Sequence, residues 1–363
     1  MSEITICLLL KETKGDIFSV NKCGAFNKSI RERQNLSMHL TIMILDGGSK
    51  MQVYKLLNIH EYREKYNIPN AKFVDMRVAY DEKIYMTLIK EEEYTIKDRV
   101  NGWRTGYNRT FYFFRITFDW KNGEVLETEQ FEFDNKNRWI HYWCPLKENF
   151  LLVNARTDSS KKSSNAHIVD KEGNIIREFC IGDGVENCCT TPNGKIIAGY
   201  MDEGIFCNRT PGAKYGYTMW DENGKKIWWN RKYDVWHSYA LNLDPQKCLW
   251  FYYYGHCGDD TTNMFHLVYS KKEKNVVFTP DVKGSHGFSI SRDHKKLLLG
   301  GGYKDYESVY LYDMDYNTAI LSNKRKMTFE LDGKEVEFYH YEFSEDKVFL
   351  LQEDGTLVVG HFK

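Results

Sequence analysis

The stretch DVWHSYALNLDPQKCLWFYYYGH, Asp234–His256, holds two alternating runs of aromatic and aliphatic residues on either side of a short polar segment. β-Branched and aromatic residues favour extended strands, and Asp-Pro favours a tight turn. The stretch therefore predicts a β-hairpin with its turn at LDPQKC, 243–248. One residue stands out, because the imidazole of His237 lies near the head of a strand that otherwise has the composition of a core.

Polar turns like this one recur along the chain in two alternating series. The first series reads AYDEKI at 79–84, PLKENF at 145–150, TPNGKI at 191–196, LDPQKC at 243–248, SRDHKK at 291–296 and SEDKVF at 344–349, with ETKGDI at 12–17 as a further candidate. The second reads LDGGSK at 45–50, DWKNGE at 119–124, DKEGNI at 170–175, DENGKK at 221–226, SKKEKN at 270–275 and DMDYNT at 313–318. From 119 onward the starts of the second series lie 51, 51, 49 and 43 residues apart. Each repeat is thus predicted to hold four strands, a to d, with the first series joining a to b and the second joining c to d.

Four-stranded repeats of roughly 50 residues are typical of β-propellers. The chain resembles the propeller superfamily of WD-type, YVTN-type and quinoprotein-type repeats, and DENGKKIWW at 221–229 is similar to a quinoprotein-type blade ending. DEGIF at 202–206 and YALN at 239–242 are similar to segments of bacterial propeller proteins. The resemblance implies a single all-β domain, a β-propeller over residues 1–363, and no particular activity.

Seven a–b turns predict seven blades, with six as the alternative. The last blade, 338–363, shows only three strands: FYHYEF, KVFLL and TLVVGHF. Because a propeller closes to hide its sheet edges, the N-terminal segment around Ile4–Leu10 is expected beside this blade. It would supply the missing outer strand or begin the first inner strand. Two packed β-sandwiches are the alternative architecture.

Composition limits the partners of the chain. A net charge of -1 gives no electrostatic footprint for nucleic acid. The N-terminal apolar run lacks the features of a signal peptide and is too short to span a membrane. The nine cysteines form no C-x-x-C pair, as expected for a reducing cytosol. We therefore expect a cytoplasmic monomer with neither nucleic-acid nor membrane partners.

Polar residues recur a few positions before the a–b turns. They are Asp75, His141, Glu186 with Asn187, His237, His286 and His340. In a propeller these positions surround the upper end of the central channel, so they predict a polar funnel. The loops expected on the same face are long and polar, as in 90–110, and binding usually resides in such loops. They contribute the carboxylates Asp202, Glu203, Asp259, Asp260 and Asp305.

Histidines in a funnel have several possible roles. They can hydrogen-bond a ligand, act as general acid or base, ligate a divalent metal with carboxylates, or only fasten the blades. The first role predicts a binding module for a small polar ligand, sugar, peptide or protein partner. Its ligand-binding candidates are Asp75, His141, Glu186, Asn187, Asp202, Glu203, His237, His286 and His340.

The alternative is a metal-assisted enzyme. Propeller lyases and sulfotransferases are similar to this chain in placing histidines at strand heads, although neither full site maps onto it. The similarity implies a lyase or hydrolase on sugar-acid or lactone-type substrates. Its catalytic candidates would be His237 and His286, and its divalent-metal candidates would be His141, His237, His286 and His340.

Overall fold

A computed structural model describes most of the chain beyond its first 48 residues. The described residues are 49–98, 102–133, 139–157, 163–207, 210, 212–258, 263–270 and 275–362. All their helices and strands belong to one compact unit, Gly48–Lys363. Because Met1–Gly47 lies outside the described residues, a single domain over 1–363 stays a prediction.

The described strands form four-stranded antiparallel units that follow one another along the chain. The inner strands, a, are β2 Lys72–Val78, β6 Tyr142–Leu146, β10 Val185–Thr190, β14 Asp234–Leu243, β18 Phe288–Ile290 and β23 His340–Ser344. The second strands, b, are β3 Ile84–Asp98, β7 Asn149–Val153, β11 Ile196–Tyr200, β15 Leu249–His256, β19 Lys296–Gly300 and β24 Lys347–Leu351.

The outer half of each unit completes the pattern. The third strands, c, are β4 Gly102–Asp119, β8 Ala166–Val169, β12 Tyr217–Trp220, β16 Phe265–Ser270, β20 Val309–Asp315 and β25 Thr356–His361. The outer strands, d, are β5 Glu124–Phe131, β9 Ile175–Phe179, β13 Lys226–Trp229, β17 Val276–Phe278, β21 Ile320–Leu331 and, for the last unit, β1 Ser49–Asn58. A two-residue strand, β22 Lys334–Glu335, pairs with the end of β21. The fold is therefore all-β and a β-propeller, as predicted.

The predicted a–b turns join the strands that they were expected to join, whereas residues 45–48 and 271–274 of the second series lie outside the described residues. All six a–b turns between 79 and 349 connect an inner strand to its neighbour. At the c–d turn of the third blade, Asp221 Oδ1 accepts hydrogen bonds from the backbone N–H groups of Asn223 and Lys225. Gly224 has φ +74, and a Cβ there would come within 2.6 Å of the Phe179 ring. Both the turn conformation and the close packing therefore require glycine at position 224.

The strands of the described residues fall into six four-stranded blades, and the number of blades in the whole chain, seven with six as the alternative, stays a prediction. The seventh candidate turn, ETKGDI at 12–17, lies outside them, as does Ile4–Leu10. The outer strand that the last blade was missing is β1, which begins at Ser49 and pairs antiparallel with β25 through Val53–Asn58. The placement of Ile4–Leu10 beside the last blade therefore stays a prediction, and the sequence pattern did not single out β1.

Blades 5 and 6 share one continuous sheet. The first half of β1, Ser49–Gln52, pairs in parallel with residues 327–330 of β21. The first part of β21 pairs with β20 inside blade 5. β21 therefore extends from blade 5 to the edge of blade 6. There it pairs with β1, which joins the sheets of the two blades.

Hydrophobic clusters fill the spaces between blades. On β15, Trp250 and Tyr252 pack toward blade 5, whereas Phe251 and Tyr253 pack toward blade 3. All four side chains are buried. A propeller strand is covered on both faces, which is why LWFYYY shows no apolar–polar alternation. Burying each such ring contributes roughly 1.5–3 kcal/mol before packing terms.

The predicted upper loop at 90–110 is a strand extension instead. β3 and β4 stay paired out to Asp98 and Gly102, with Glu91 opposite Arg109. Their side chains form an ion pair, with Arg109 Nε 3.0 Å from Glu91 Oε1. Cross-strand charge pairs and continued backbone bonding make an extended hairpin the stable conformation of this polar segment.

Short helices stand in the other connections. α1 covers Ile59–Lys65 and begins with Asn58, whose side chain accepts a hydrogen bond from the N–H of His60. α2, Asp202–Cys207, and two 3-10 turns, Ala213–Tyr215 and Gly302–Lys304, lie in upper loops. None of the helices in the described segments has the length and hydropathy that a membrane span requires.

Candidate functional site at the upper end of the channel

A cavity of about 100 Å³ lies along the central axis of the propeller. All six inner strands contribute to its wall, through Asp75, Tyr142, Asn187, Asn242, Phe288 and Glu342. The polar residues near the inner-strand heads, of which Asp75, Asn187, His286 and Glu342 line the cavity, are here called the channel mouth. They are Asp75, Glu186, Asn187, His237, His286, His340 and Glu342.

Asp75 is neutralised inside the channel by Arg77. The guanidinium binds Asp75 Oδ2 through Nη2 at 2.6 Å and Nε at 2.9 Å, while Nη1 donates to the Cys188 carbonyl at 2.6 Å. It also lies over the ring of Tyr142, 5.0 Å from its centroid. Burial would lower the pKa of Arg77, but Asp75 outweighs it and raises that pKa. The pair is therefore a fixed ionic link that reaches from blade 1 to blade 3.

His237 and His286 meet around Tyr239. The His237 ring lies 4.4 Å from the Tyr239 ring, which is 5.4 Å from the His286 ring. His237 Nδ1 accepts a hydrogen bond from the backbone N–H of Asp202 at 3.3 Å. Burial lowers the pKa of His237, although Asp202 opposes this. The His286 side chain is exposed at the surface, but the protein around it reduces the hydration of the ring. This desolvation, followed by the charge of His237, lowers the pKa of His286. Both imidazoles are thus neutral near pH 7.

His340 is in a different electrostatic situation. Its Nε2 lies 3.1 Å from Oε1 of Glu342, two residues further along the same strand. Burial acts to lower the pKa of His340, but the hydrogen bond and charge of Glu342 outweigh it and raise the pKa. Glu342 also lies near enough to Asp75 and His286 to influence both. It therefore connects blade 6 electrostatically with blades 1 and 5.

Glu186 has a carboxylate without a counterion. Its backbone carbonyl accepts hydrogen bonds from the Tyr142 hydroxyl and the Asn187 side chain, but among the described residues no donor reaches its carboxylate. Asn187 is held in place by Ser238, whose Oγ donates to its Oδ1 at 2.8 Å. Burial, followed by the charge of Asp202, raises the pKa of Glu186 to about 7. This half-buried acid titrates near neutrality, which is a common property of functional carboxylates.

His141 does not face the cavity. Its Nδ1 accepts a hydrogen bond from the backbone N–H of Ala155 at 3.0 Å, and its ring lies 5.7 Å from that of Trp139. Burial lowers its pKa to about 4. The imidazole therefore fastens the upper loop of its own blade, the structural role that the sequence left open.

The upper-loop carboxylates do not act as one group. Glu203 pairs with Arg156, and Asp305 accepts a hydrogen bond from the Tyr310 hydroxyl. Asp202 reaches His237, as described above. The predicted positions Asp259 and Asp260 lie outside the described residues.

The predicted metal ligands do not converge. In the part of the chain that the structure describes, no group of three or more His, Cys, Asp or Glu residues is arranged to hold a metal ion. The reason is that the histidines are directed to separate partners: His141 to its loop, His237 to α2 and His340 to Glu342.

Sequence reasoning missed Arg77, Tyr239 and Glu342. Each lies two residues after a predicted strand-head residue, namely Asp75, His237 and His340. Alternate residues of a strand point to the same side, so reading on by two positions from each head finds all three.

Comparisons with known proteins add little to this description. No protein-family model matches the chain, and no curated protein matches it in sequence. Among solved structures, hydrazine synthase of Kuenenia stuttgartiensis matches with a TM-score of 0.43 and 9% identity, over 79% of this chain and 94% of that chain. A similarity this low carries no argument about the present chain. Its own sheets and cavity define its class, a β-propeller with a polar central channel.

Proposed function

We propose that the chain is a cytosolic binding module whose channel mouth takes a small polar ligand with a positively charged group, such as an amine or a guanidinium. The observation that carries the proposal is the Glu186 carboxylate, which no donor among the described residues satisfies. A half-buried carboxylate without a partner loses hydration and gains no hydrogen bond in return. A ligand cation would supply both the charge and the donor.

The charges around Glu186 favour the same sign of ligand. Asp202 adds negative charge beside Glu186, while the neutral rings of His237 and His286 add none. The nearby cationic groups already have partners, because Arg77 is paired with Asp75 and His340 lies against Glu342. A cation entering the mouth is therefore attracted, and an anion repelled.

Aromatic rings at the rim suit the apolar part of such a ligand. Tyr306 is 43% exposed and its ring lies 6.5 Å from that of His286. Tyr303 is 63% exposed, and its hydroxyl is hydrogen-bonded to that of Tyr239. Cations and their alkyl chains pack favourably on tyrosine faces. The cavity of about 100 Å³ limits the inserted part to a small group.

Binding is favoured over the metal-assisted enzyme. The enzyme requires a cluster of ligands, and the described residues do not supply one. Cytosolic location is proposed because all seven described cysteines are free, as is usual in a reducing compartment.

Isothermal titration calorimetry with simple probes tests the proposal. We expect butylamine and agmatine to bind, and butanol and butyrate, which match butylamine in chain length, to bind at least tenfold more weakly. Glu186→Gln should weaken the amines about tenfold or more, as expected for a lost charge-assisted hydrogen bond. Amine affinity should also fall as the pH drops below about 7, where Glu186 takes up a proton.

Glu222→Gln is the matched control, since Glu222 lies in a lower turn and pairs with Lys147. It should leave amine binding unchanged. Equal binding of butylamine and butyrate, or full amine affinity in Glu186→Gln, would contradict the proposal.

A further inference from the structure

Two buried cysteines, Cys144 and Cys188, lie on neighbouring inner strands at the seam between blades 2 and 3. The inner strands β6 and β10 lie side by side there: the Tyr142 hydroxyl donates to the carbonyl of Glu186, and Thr190 Oγ1 donates to that of Pro145 at 2.6 Å. Between these contacts, Cys144 Sγ lies 3.9 Å from the Cys188 carbonyl oxygen.

The register of the two strands sets the thiols at one level. The residue offset between contacting positions is 44 at both the tyrosine contact and the cysteine contact. Cys144 and Cys188 are each 2% exposed, and both line the central cavity. Both cysteines therefore lie in the wall of the cavity, which is large enough to admit a molecule the size of water.

A guanidinium stands beside this pair. Arg77 Nη1 donates to the Cys188 carbonyl at 2.6 Å, the same oxygen that the Cys144 thiol approaches. The Cys188 side chain and the positive charge of Arg77 lower the pKa of Cys144 and outweigh burial, which acts to raise it, whereas the pKa of Cys188 is raised. The two thiols thus differ in character, and Cys144 is the better nucleophile.

We propose that Cys144 and Cys188 are a peroxide-reactive thiol pair that closes a disulfide between blades 2 and 3. This role is independent of ligand binding at the channel mouth. It makes the two buried cysteines below the channel mouth a modification site and not inert core residues.

The chemistry needs only hydrogen peroxide as oxidant. Cys144 Sγ attacks one peroxide oxygen, the O–O bond breaks, and the departing hydroxide takes the thiol proton to form water. Cys144 is thereby oxidised to a sulfenic acid. The Cys188 sulfur then attacks the Cys144 sulfur, the S–S bond forms, the S–O bond breaks, and hydroxide leaves with the Cys188 proton as a second water.

Peptide mapping of the full chain tests the pair directly. The protein is treated with a small excess of hydrogen peroxide, free thiols are alkylated, and the non-reduced tryptic digest is analysed by mass spectrometry. We expect peptide 139–147, which holds Cys144, to be linked to peptide 178–195 through Cys188, and dithiothreitol to release both thiols. An unchanged circular dichroism spectrum ensures that the reaction occurs in the folded protein.

Variants separate the roles of the two sulfurs. Cys188→Ser should stop at a sulfenic acid on Cys144 that dimedone traps, and Cys144→Ser should give neither adduct nor link. Cys207→Ser is the matched control, because Cys207 is exposed on α2, and it should leave the link intact.

Three outcomes would overturn the proposal. One is a Cys188–Cys189 disulfide in place of the interblade link. The second is oxidation of Cys207 alone at peroxide levels that leave Cys144 reduced. The third is a link that forms only after the circular dichroism signal is lost. If a serine variant fails to fold, Cys144→Ala and Cys188→Ala provide the same comparison.

Discussion

Asn242 and Glu345 exchange two hydrogen bonds across the lower channel, although they belong to blades 4 and 6. Asn242 Nδ2 donates to the Glu345 carbonyl at 2.9 Å, and the Glu345 N–H donates to Asn242 Oδ1 at 2.7 Å. The same amide also donates to the carbonyl of Phe288 in blade 5 at 2.9 Å. A single side chain therefore holds three inner strands together at the lower end of the ring.

Replacing Asn242 should reduce the stability of the fold. Asn242→Ala removes three buried hydrogen bonds and leaves the buried Glu345 N–H without its acceptor, so we expect a loss of about 2–4 kcal/mol in the free energy of unfolding. Urea unfolding followed by tryptophan fluorescence measures it. Asn122→Ala, in an exposed turn, should change stability by less than about 0.5 kcal/mol. A similar loss of unfolding free energy in both variants would contradict a specific contribution of the Asn242 hydrogen bonds.

His141 should make the propeller sensitive to acid. Because burial depresses its pKa to about 4 from an ordinary 6.5, the folded state resists protonation. Its contribution is therefore fully present above pH 6.5 and is lost as the pH falls toward 4, by roughly 1–3 kcal/mol.

His141→Asn tests this contribution, since its Oδ1 can still accept the Ala155 N–H but cannot be protonated in this range. Unfolding free energies from pH 7 to 4 should fall less steeply in this variant than in the wild type. His60→Asn, at an exposed position on α1, should retain the wild-type slope. An unchanged slope in His141→Asn would contradict the assignment.

Closure of the ring should depend on Val53. This residue of β1 is fully buried and pairs with Gly360 of β25. Val53→Asp places an unpaired charge in the core, so we expect a loss of 3 kcal/mol or more. Exposed strand edges associate, so light scattering should also detect oligomers. Gln52, one residue earlier, is exposed, so Gln52→Asp should remain as stable and monodisperse as the wild type. Equal losses of stability in the two variants would refute the role of Val53.

The repeats were predictable because turn chemistry is local. DENGKK encodes its own turn through Asp221 and Gly224, whatever the rest of the chain does. The identity of the closing strand was not predictable in this way. The pairing of VYKLLN, residues 53–58, with β25 links positions about 300 residues apart, and the alternation of this segment is no stronger than that of others.

The candidate site was predictable only in part. Of the predicted residues, Asp75, Asn187 and His286 line the cavity. Whether a head residue faces the cavity depends on neighbours in three dimensions: His286 reaches the cavity wall, whereas His141 turns to Ala155. Glu186 acquires its raised pKa from burial and from Asp202, neither of which a linear pattern reveals.

The divided pairing of β1 changes what its amide protons report. Strands near a chain terminus ordinarily exchange their amide hydrogens first, through fraying of the free end. Here residues 49–52 are bonded to β21 and residues 53–58 to β25, so neither half is a free end. The hydrogen-bonded amides of residues 49–52 exchange when β1 separates from β21, and their protection factor is therefore a gauge of the contact between blades 5 and 6.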